Sequence, residues 1–198
     1  MKNELLKTLL TLFSGETLYA ENGLALRYRL FTGKGENLPL VLFLHGMSQR
    51  GGSVVTYVKY GQRIHSPIVD LGEADYILSF EALEAARWLP YLKKDGLLIT
   101  NSAEIWPMPV ITGAAAYPED IPEKLRARAN VLSLDAMALA QKAGSPKAVN
   151  LVLLGVLSQR ADWPESVWQE AIEHTVPAKF LEMNKKAFAL GRAAWKEA

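Results

Sequence analysis

Residues Asp75–Asn101 read DYILSFEALEAARWLPYLKKDGLLITN, and this stretch decides the fold class. "DYILSF" is apolar and aromatic over strand length, and "EALEAARWLPYL" puts Ala82, Leu83, Ala86 and Leu89 on one helical stripe. Asp95-Gly96 is a turn signal that leads into "LLIT", a second apolar run. Strand, helix and strand in immediate succession form a crossover unit, which predicts a parallel α/β architecture.

Upstream, "SVVTYVKYG" (53–61) is β-branched and aromatic and predicts a strand. "LPLVLFL" (38–44) is apolar throughout, as a strand buried on both faces is, and runs into His45-Gly46. Residues 16–31, "ETLYAENGLALRYRLF", predict a β-hairpin and hence an antiparallel opening: Leu24, Leu26, Tyr28 and Leu30 alternate with Ala25, Arg27, Arg29 and Phe31, and Asn22-Gly23 suits a tight turn. Before it, Leu5, Leu6, Leu9, Leu10 and Phe13 of "NELLKTLLTLF" form an amphipathic stripe.

Downstream, the proline-dotted "EIWPMPVITGAAAYPEDIPEK" (104–124) predicts surface loop and edge strand, and "NVLSLDA" a further strand. "AMALAQKAG" and "PKAVNLVLLGVLSQ" predict two helices. Asp162 and Glu165 make a capping-box pattern ahead of a helix over Trp168 and Ile172. A last helix after Pro177 gathers Phe180, Leu181, Asn184, Phe188, Gly191 and Trp195 on one side. The expectation is a three-layer Rossmann-like α/β sheet with flanking helices and a helical C-terminal region, in one domain over residues 1–198.

Composition narrows the function. Hydrophobic residues at 49% and charged residues at 22% are ordinary for a folded chain. A net charge of +1 provides no basic stripe, so nucleic acid is not an expected partner. With no cysteine the chain has no disulfide and no thiolate for an iron-sulfur cluster or structural zinc. His45, His65 and His174 show no ligand spacing, so no metal site is expected. Lys7 interrupts the apolar start, and the longest apolar run, "LVLLGVL", is far short of the ~20 residues of a spanning helix. The expectation is a cytoplasmic protein without a membrane partner.

The candidate site begins at "HGMSQRGG", His45, Gly46, Met47, Ser48, Gln49, Arg50, Gly51 and Gly52. Gly51-Gly52 permits positive φ and close backbone approach, while Arg50, Gln49 and Ser48 offer a charged fork and neutral hydrogen-bonding groups to a carboxylate or phosphate. Such a loop suits the rim of a shared active site, facing substrate or partner. The alternative is a tight turn between two strands with Arg50 paired to a local acid. Glu81 and Asn101 each follow or end a parallel strand, where α/β sheets bind ligands. Glu81 is equally an ordinary first-turn acid at a helix dipole, and Asn101 has the same ambiguity.

Two resemblances meet at His45-Gly46. "YAENGLALRYRLF" and "LPLVLFLHG" resemble the opening of α/β-hydrolase esterases, in which the loop after His-Gly supplies an oxyanion-stabilising N–H. That family implies a G-x-S-x-G serine, and none is present. Gly46-Met47-Ser48-Gln49-Arg50 is the nearest approach, with Ser48, Asp135 and His174 in the family's order, and this gives a serine esterase as the alternative function.

From His45 onward, "HGMSQRGGSVVTYVKYG", "SPIVDLGEADYILSFEALEAARWLPYLKKDGLLITN", "KAVNLVLLGVLS" and "VPAKFLEMNKKAFALGR" resemble the γ-type subunits of 2-oxoacid:ferredoxin oxidoreductases, most closely the β subunits of indolepyruvate enzymes. The resemblance implies oxidative decarboxylation of arylpyruvates to acyl-CoA, with CoA as co-substrate and ferredoxin as acceptor. It also implies a large (α) partner subunit carrying thiamine diphosphate and iron-sulfur clusters, and no cofactor on this chain alone. Residues 1–44 depart from the family, which opens with a strand, a G-x-G-G-Q-G turn and a helix. "PLVLFL" is expected to fill the slot of the missing central strand, and "NELLKTLLTLF" to cover the sheet face left by the missing helix.

Overall fold

The structure, a computed structural model, describes residues 27–32, 41–45, 54–61, 68–161 and 163–195. Among them are six strands, β1 (Arg27–Thr32), β2 (Val41–His45), β3 (Val54–Gly61), β4 (Ala74–Ser79), β5 (Leu92–Asn101) and β6 (Asn130–Leu134). They form one sheet in the order β1-β3-β2-β4-β5-β6. Every neighbouring pair is parallel except β2 with β3. The crossover unit read from residues 75–101 is present as β4, helix α1 (Ala82–Trp88) and β5.

Side chains alternate between faces along a strand, and the two faces of this sheet bury different partners. Leu78, Leu97, Ile99 and Leu132 pack in one core with the C-terminal helices. Ile77 and Leu98, their immediate neighbours in sequence, pack in another with α1 and the short helix over Ile121 and Leu125. A sheet covered on both sides is the three-layer arrangement expected, and it explains why "ILSF" and "LLIT" are apolar at consecutive positions.

β2 pairs in parallel with β4, Val41 opposite Tyr76 through Leu44 opposite Ser79. It therefore occupies the interior slot that "PLVLFL" was expected to fill. β1, the described part of the 16–31 hairpin, pairs in parallel with β3, Arg27 opposite Thr56, and the other arm of that hairpin lies outside the described residues. Asn22-Gly23 and "NELLKTLLTLF" lie outside the described residues.

Three further expectations change here. Asp95-Gly96 does not start a new strand, because β5 runs unbroken through it and the register slips there, Leu92 opposite Ala74 but Leu97 opposite Tyr76. Glycine suits the irregularity: a Cβ on Gly96 would stand 2.7 Å from Leu92 Cδ1, displacing that side chain, and 3.0 Å from the Ala74 carbonyl oxygen. On α1 the deepest stripe is Ala82, Glu84 and Ala85, with Leu83, Ala86 and Leu89 half-buried beside it. The proline-dotted segment forms two helices rather than an edge strand, α2 (Met108–Ile111) and α3 (Ile121–Arg126). Each carries proline in its first turn, where the missing N–H has no partner to lose.

The helical C-terminal region comprises α4 (Ala136–Ala143), α5 (Val149–Leu157), α6 (Glu165–Thr175) and α7 (Leu181–Ala194). α6 buries Trp168 and Ile172 as expected, but starts at Glu165 behind Pro164 without a side-chain cap. Asp162, the other half of the capping-box pattern, lies outside the described residues. On α7, Asn184, Phe188 and Gly191 are buried as read, whereas Phe180 is exposed.

Candidate functional site

The parallel register brings three of the candidate groups to one edge of the sheet. Leu44 lies opposite Ser79, Ser79 opposite Thr100, and Asn101 opposite Leu134. His45, Glu81 and Asn101 therefore all leave the sheet at its carboxyl edge, where open α/β sheets bind ligands. His45 also faces Val54 across the antiparallel pair. Gly46, Met47, Ser48, Gln49, Arg50, Gly51 and Gly52 lie outside the described residues.

Glu81 is buried and caps α1. Its Oε2 accepts from the Leu83 N–H at 2.8 Å and its Oε1 from the Glu84 N–H at 2.9 Å. Those donors are orphans that a helix start must satisfy. Ser79 Oγ donates to the Glu81 carbonyl at 2.6 Å, which fixes the extended backbone at the cap. Tyr117 Oη donates to Glu81 Oε2 at 3.3 Å from 36 residues away. Nothing local in the sequence signals that pairing. Burial raises the Glu81 carboxyl above the usual glutamate range, opposed by the two backbone donors. The Tyr117 phenol is likewise pushed up, by burial first and then by the Glu81 charge. Next along α1, buried Glu84 pairs with Arg87.

A carboxyl raised in the folded state favours the protonated fold. The stability it contributes is complete below the ordinary glutamate value of 4.5 and is lost as pH rises through the folded value. Glu81→Gln, which holds the neutral form at every pH, is expected to remove this part of the decline. Urea midpoints of both proteins measured across that window check it: equal slopes would contradict the assignment.

Asn101 is buried too, and both its polar atoms are engaged. Nδ2 donates to the Phe80 carbonyl at 3.2 Å, and Oδ1 accepts from the Ala136 N–H at 3.0 Å. One side chain thus fastens the end of β4, the end of β5 and the start of α4.

Two cavities open above this edge. One, of about 440 Å³, is lined by Ala82, Ser102, Glu104, Tyr117, Glu119 and Asp120. The other, of about 510 Å³, has Phe80, Ile105 and Met137 as apolar wall, with Asn101, Lys147 and Asn150. The Asn150 Oδ1 is buried there without a hydrogen-bond partner. The first can take an uncharged or cationic group; the second can take an apolar group with one polar end. Neither sets a nucleophile against a base among the described residues.

The esterase alternative finds no support. Asp135 Oδ1 is used to cap α4 through the Ala138 N–H at 2.8 Å, and His174 faces Glu170 of its own helix at 3.8 Å. Ser48 lies outside the described residues. No group of three or more His, Asp or Glu converges as a metal set among the described residues. No described helix is long and apolar enough to cross a membrane.

Comparison with known proteins places this architecture. The chain is 44% identical over 160 residues, 78% of this chain and 79% of the relative, to the indolepyruvate oxidoreductase subunit IorB of Thermococcus kodakarensis. The keto/oxoacid ferredoxin oxidoreductase gamma subunit of Geobacter sulfurreducens shares the fold at a TM-score of 0.51, with 19% identity, over 80% of this chain and 81% of that one. The 2-oxoglutarate:ferredoxin oxidoreductase of Magnetococcus marinus shares it at 0.56, with 14% identity, over 100% of this chain and 28% of the longer one. The family model for pyruvate ferredoxin/flavodoxin oxidoreductase matches residues 40–194, from just before β2 to the end of α7, and the chain belongs to that family.

Proposed function

We propose that this chain, read as one domain over residues 1–198, is the small subunit of an indolepyruvate-type 2-oxoacid:ferredoxin oxidoreductase and works in a complex with a large subunit. The observation that carries this is the 44% identity to a named indolepyruvate oxidoreductase subunit over most of both chains. In the reaction, an arylpyruvate loses its carboxylate as CO2 while its acyl carbon forms a thioester with CoA, and the electron pair passes to ferredoxin. With no cysteine, this chain does not fit an iron-sulfur cluster, and the described residues hold no metal-binding set. In this reading the clusters and thiamine diphosphate belong to the large subunit, ferredoxin meets the complex there, and the complex is cytoplasmic.

This chain's own part is structural and local. Its sheet edge carries His45, the residue that leads into Gly46–Gly52 in the sequence, and two cavities. Glu81 and Asn101 contribute by holding that edge in place. The loop, with Arg50 as its charged group, is the part of the chain suited to face substrate or partner.

Co-expression with the large subunit of the same enzyme, followed by affinity purification and a viologen-dye assay with indolepyruvate and CoA, tests the assignment. The expected result is a stoichiometric complex that reduces dye only when both substrates are present. An Arg50→Ala complex is expected to assemble and to lose turnover on the order of 100-fold if Arg50 faces a reacting carboxylate or phosphate. Unchanged kinetics would return Arg50 to a turn.

A further inference from the structure

No residue from Ser102 to Asp120 is buried, although this excursion leaves directly from the buried end of β5. Within it, Ile105 to Pro118 contains no charged side chain. Ile105, Trp106, Met108 and Ile111 are 39%, 55%, 57% and 60% exposed. Met108 and Ile111 are three apart on α2 and share a face. Together these side chains turn on the order of 500 Å² of apolar surface to water, the upper end of what a monomer shows and a large share of the roughly 800 Å² per partner of a specific interface. The patch is continuous with the larger cavity, whose wall includes Ile105 and Met137.

The charges around it are mainly acidic: of the charged residues lining the two cavities, Glu104, Glu119, Asp120 and Glu123 are acidic, and Lys147, on the wall of the larger one, is basic. Between Lys94 and Lys124 the sequence has no basic residue, and Glu104, Glu119 and Asp120 flank the uncharged segment, all exposed. An apolar centre with an acidic rim fits an occupant with an apolar centre and a basic rim. A second copy docking on a two-fold axis would set acid against acid.

We propose that the exposed segment Ile105–Ile111, with the cavity beside it, is the surface on which this chain docks its large subunit, taking an apolar knob rimmed by Lys or Arg. This rests on the functional reading above. It assigns the contact to the loop after β5 and not to the Trp-bearing C-terminal helices, whose Trp168 and Phe188 are already fully buried within this chain.

The test uses the full chain and the large subunit of the same complex. Trp106→Glu with Met108→Glu is expected to weaken the complex on the order of 100-fold while leaving the urea midpoint of the free chain unchanged. Phe180→Ser, an exposed apolar residue off the patch, is expected to bind like wild type. Neutralising Glu104, Glu119 and Asp120 together is expected to slow association and flatten its salt dependence. A photo-crosslinking amino acid in place of Trp106 is expected to capture the large subunit. Capture of a second copy, capture of residues 1–26 of the same chain, or full-strength binding by the double variant would each overturn the docking surface and leave the functional reading standing. A wild-type chain that forms no complex overturns both.

Discussion

Gly191→Ala is expected to destabilise the chain by about 3 kcal/mol, the upper range for overpacking a core contact. α7 crosses α5 at the closest approach the backbones allow. A Cβ on Gly191 would overlap the Val152 carbonyl oxygen and stand 2.8 Å from its carbon, and a Cβ on Gly155 would overlap the Phe188 carbonyl oxygen. These are backbone atoms, so no rotamer change relieves the clash and the helices themselves must part. Parting them strains what surrounds the crossing: Arg192 Nη1 donates to Ser158 Oγ at 2.7 Å, Arg192 Nη2 meets Glu165 at 3.1 Å, and Trp168 packs on Phe188. Gly155→Ala is expected to cost a similar amount, and the double variant less than the sum, since one separation accommodates both. Urea unfolding measures this; a Gly191→Ala midpoint equal to wild type would show that the helices do not approach so closely.

Asn101→Ala is expected to cost about 1–3 kcal/mol, since it leaves the buried Ala136 N–H without its acceptor and takes one donor from the half-buried Phe80 carbonyl. Asn101→Asp is the sharper probe. Its carboxylate still accepts from Ala136 but sets a second oxygen against the Phe80 carbonyl, so it is expected to be less stable than Asn101→Ala at neutral pH. Acidification protonates the new carboxyl, supplies a donor to Phe80 and is expected to restore part of the loss. Calorimetric melting of both variants at two pH values checks this. If Asn101 served a ligand instead, both variants would melt near wild type and the complex would lose turnover.

Both predictions involve residues whose importance is only half visible in the sequence. The continuous apolar runs in "DYILSF" and "LLIT" and the strand length of "NVLSLDA" make the parallel core readable, because burial on both faces leaves no polar positions to alternate. The C-terminal helices were legible for the same reason, "LVLLGVL" being apolar all round where α5 is buried all round. What local pattern could not show was partner identity. Glu81 reads the same whether it binds a ligand or caps a helix, and Tyr117 lies 36 residues away across a loop. The prolines of residues 104–124 suit an edge strand in the sequence, yet Pro109 and Pro122 sit in the first turns of helices, because a first turn and an edge tolerate the missing N–H equally. The alternation of β1 does not name its neighbour, and the parallel pairing with β3 could not be read from it.

The account stands most directly on a titration. Adding this chain to a fixed amount of the large subunit, with indolepyruvate, CoA and viologen dye present, is predicted to raise the rate of dye reduction until it saturates at a fixed subunit ratio. A rate that does not depend on this chain at any ratio would contradict its assignment as a subunit of the oxidoreductase.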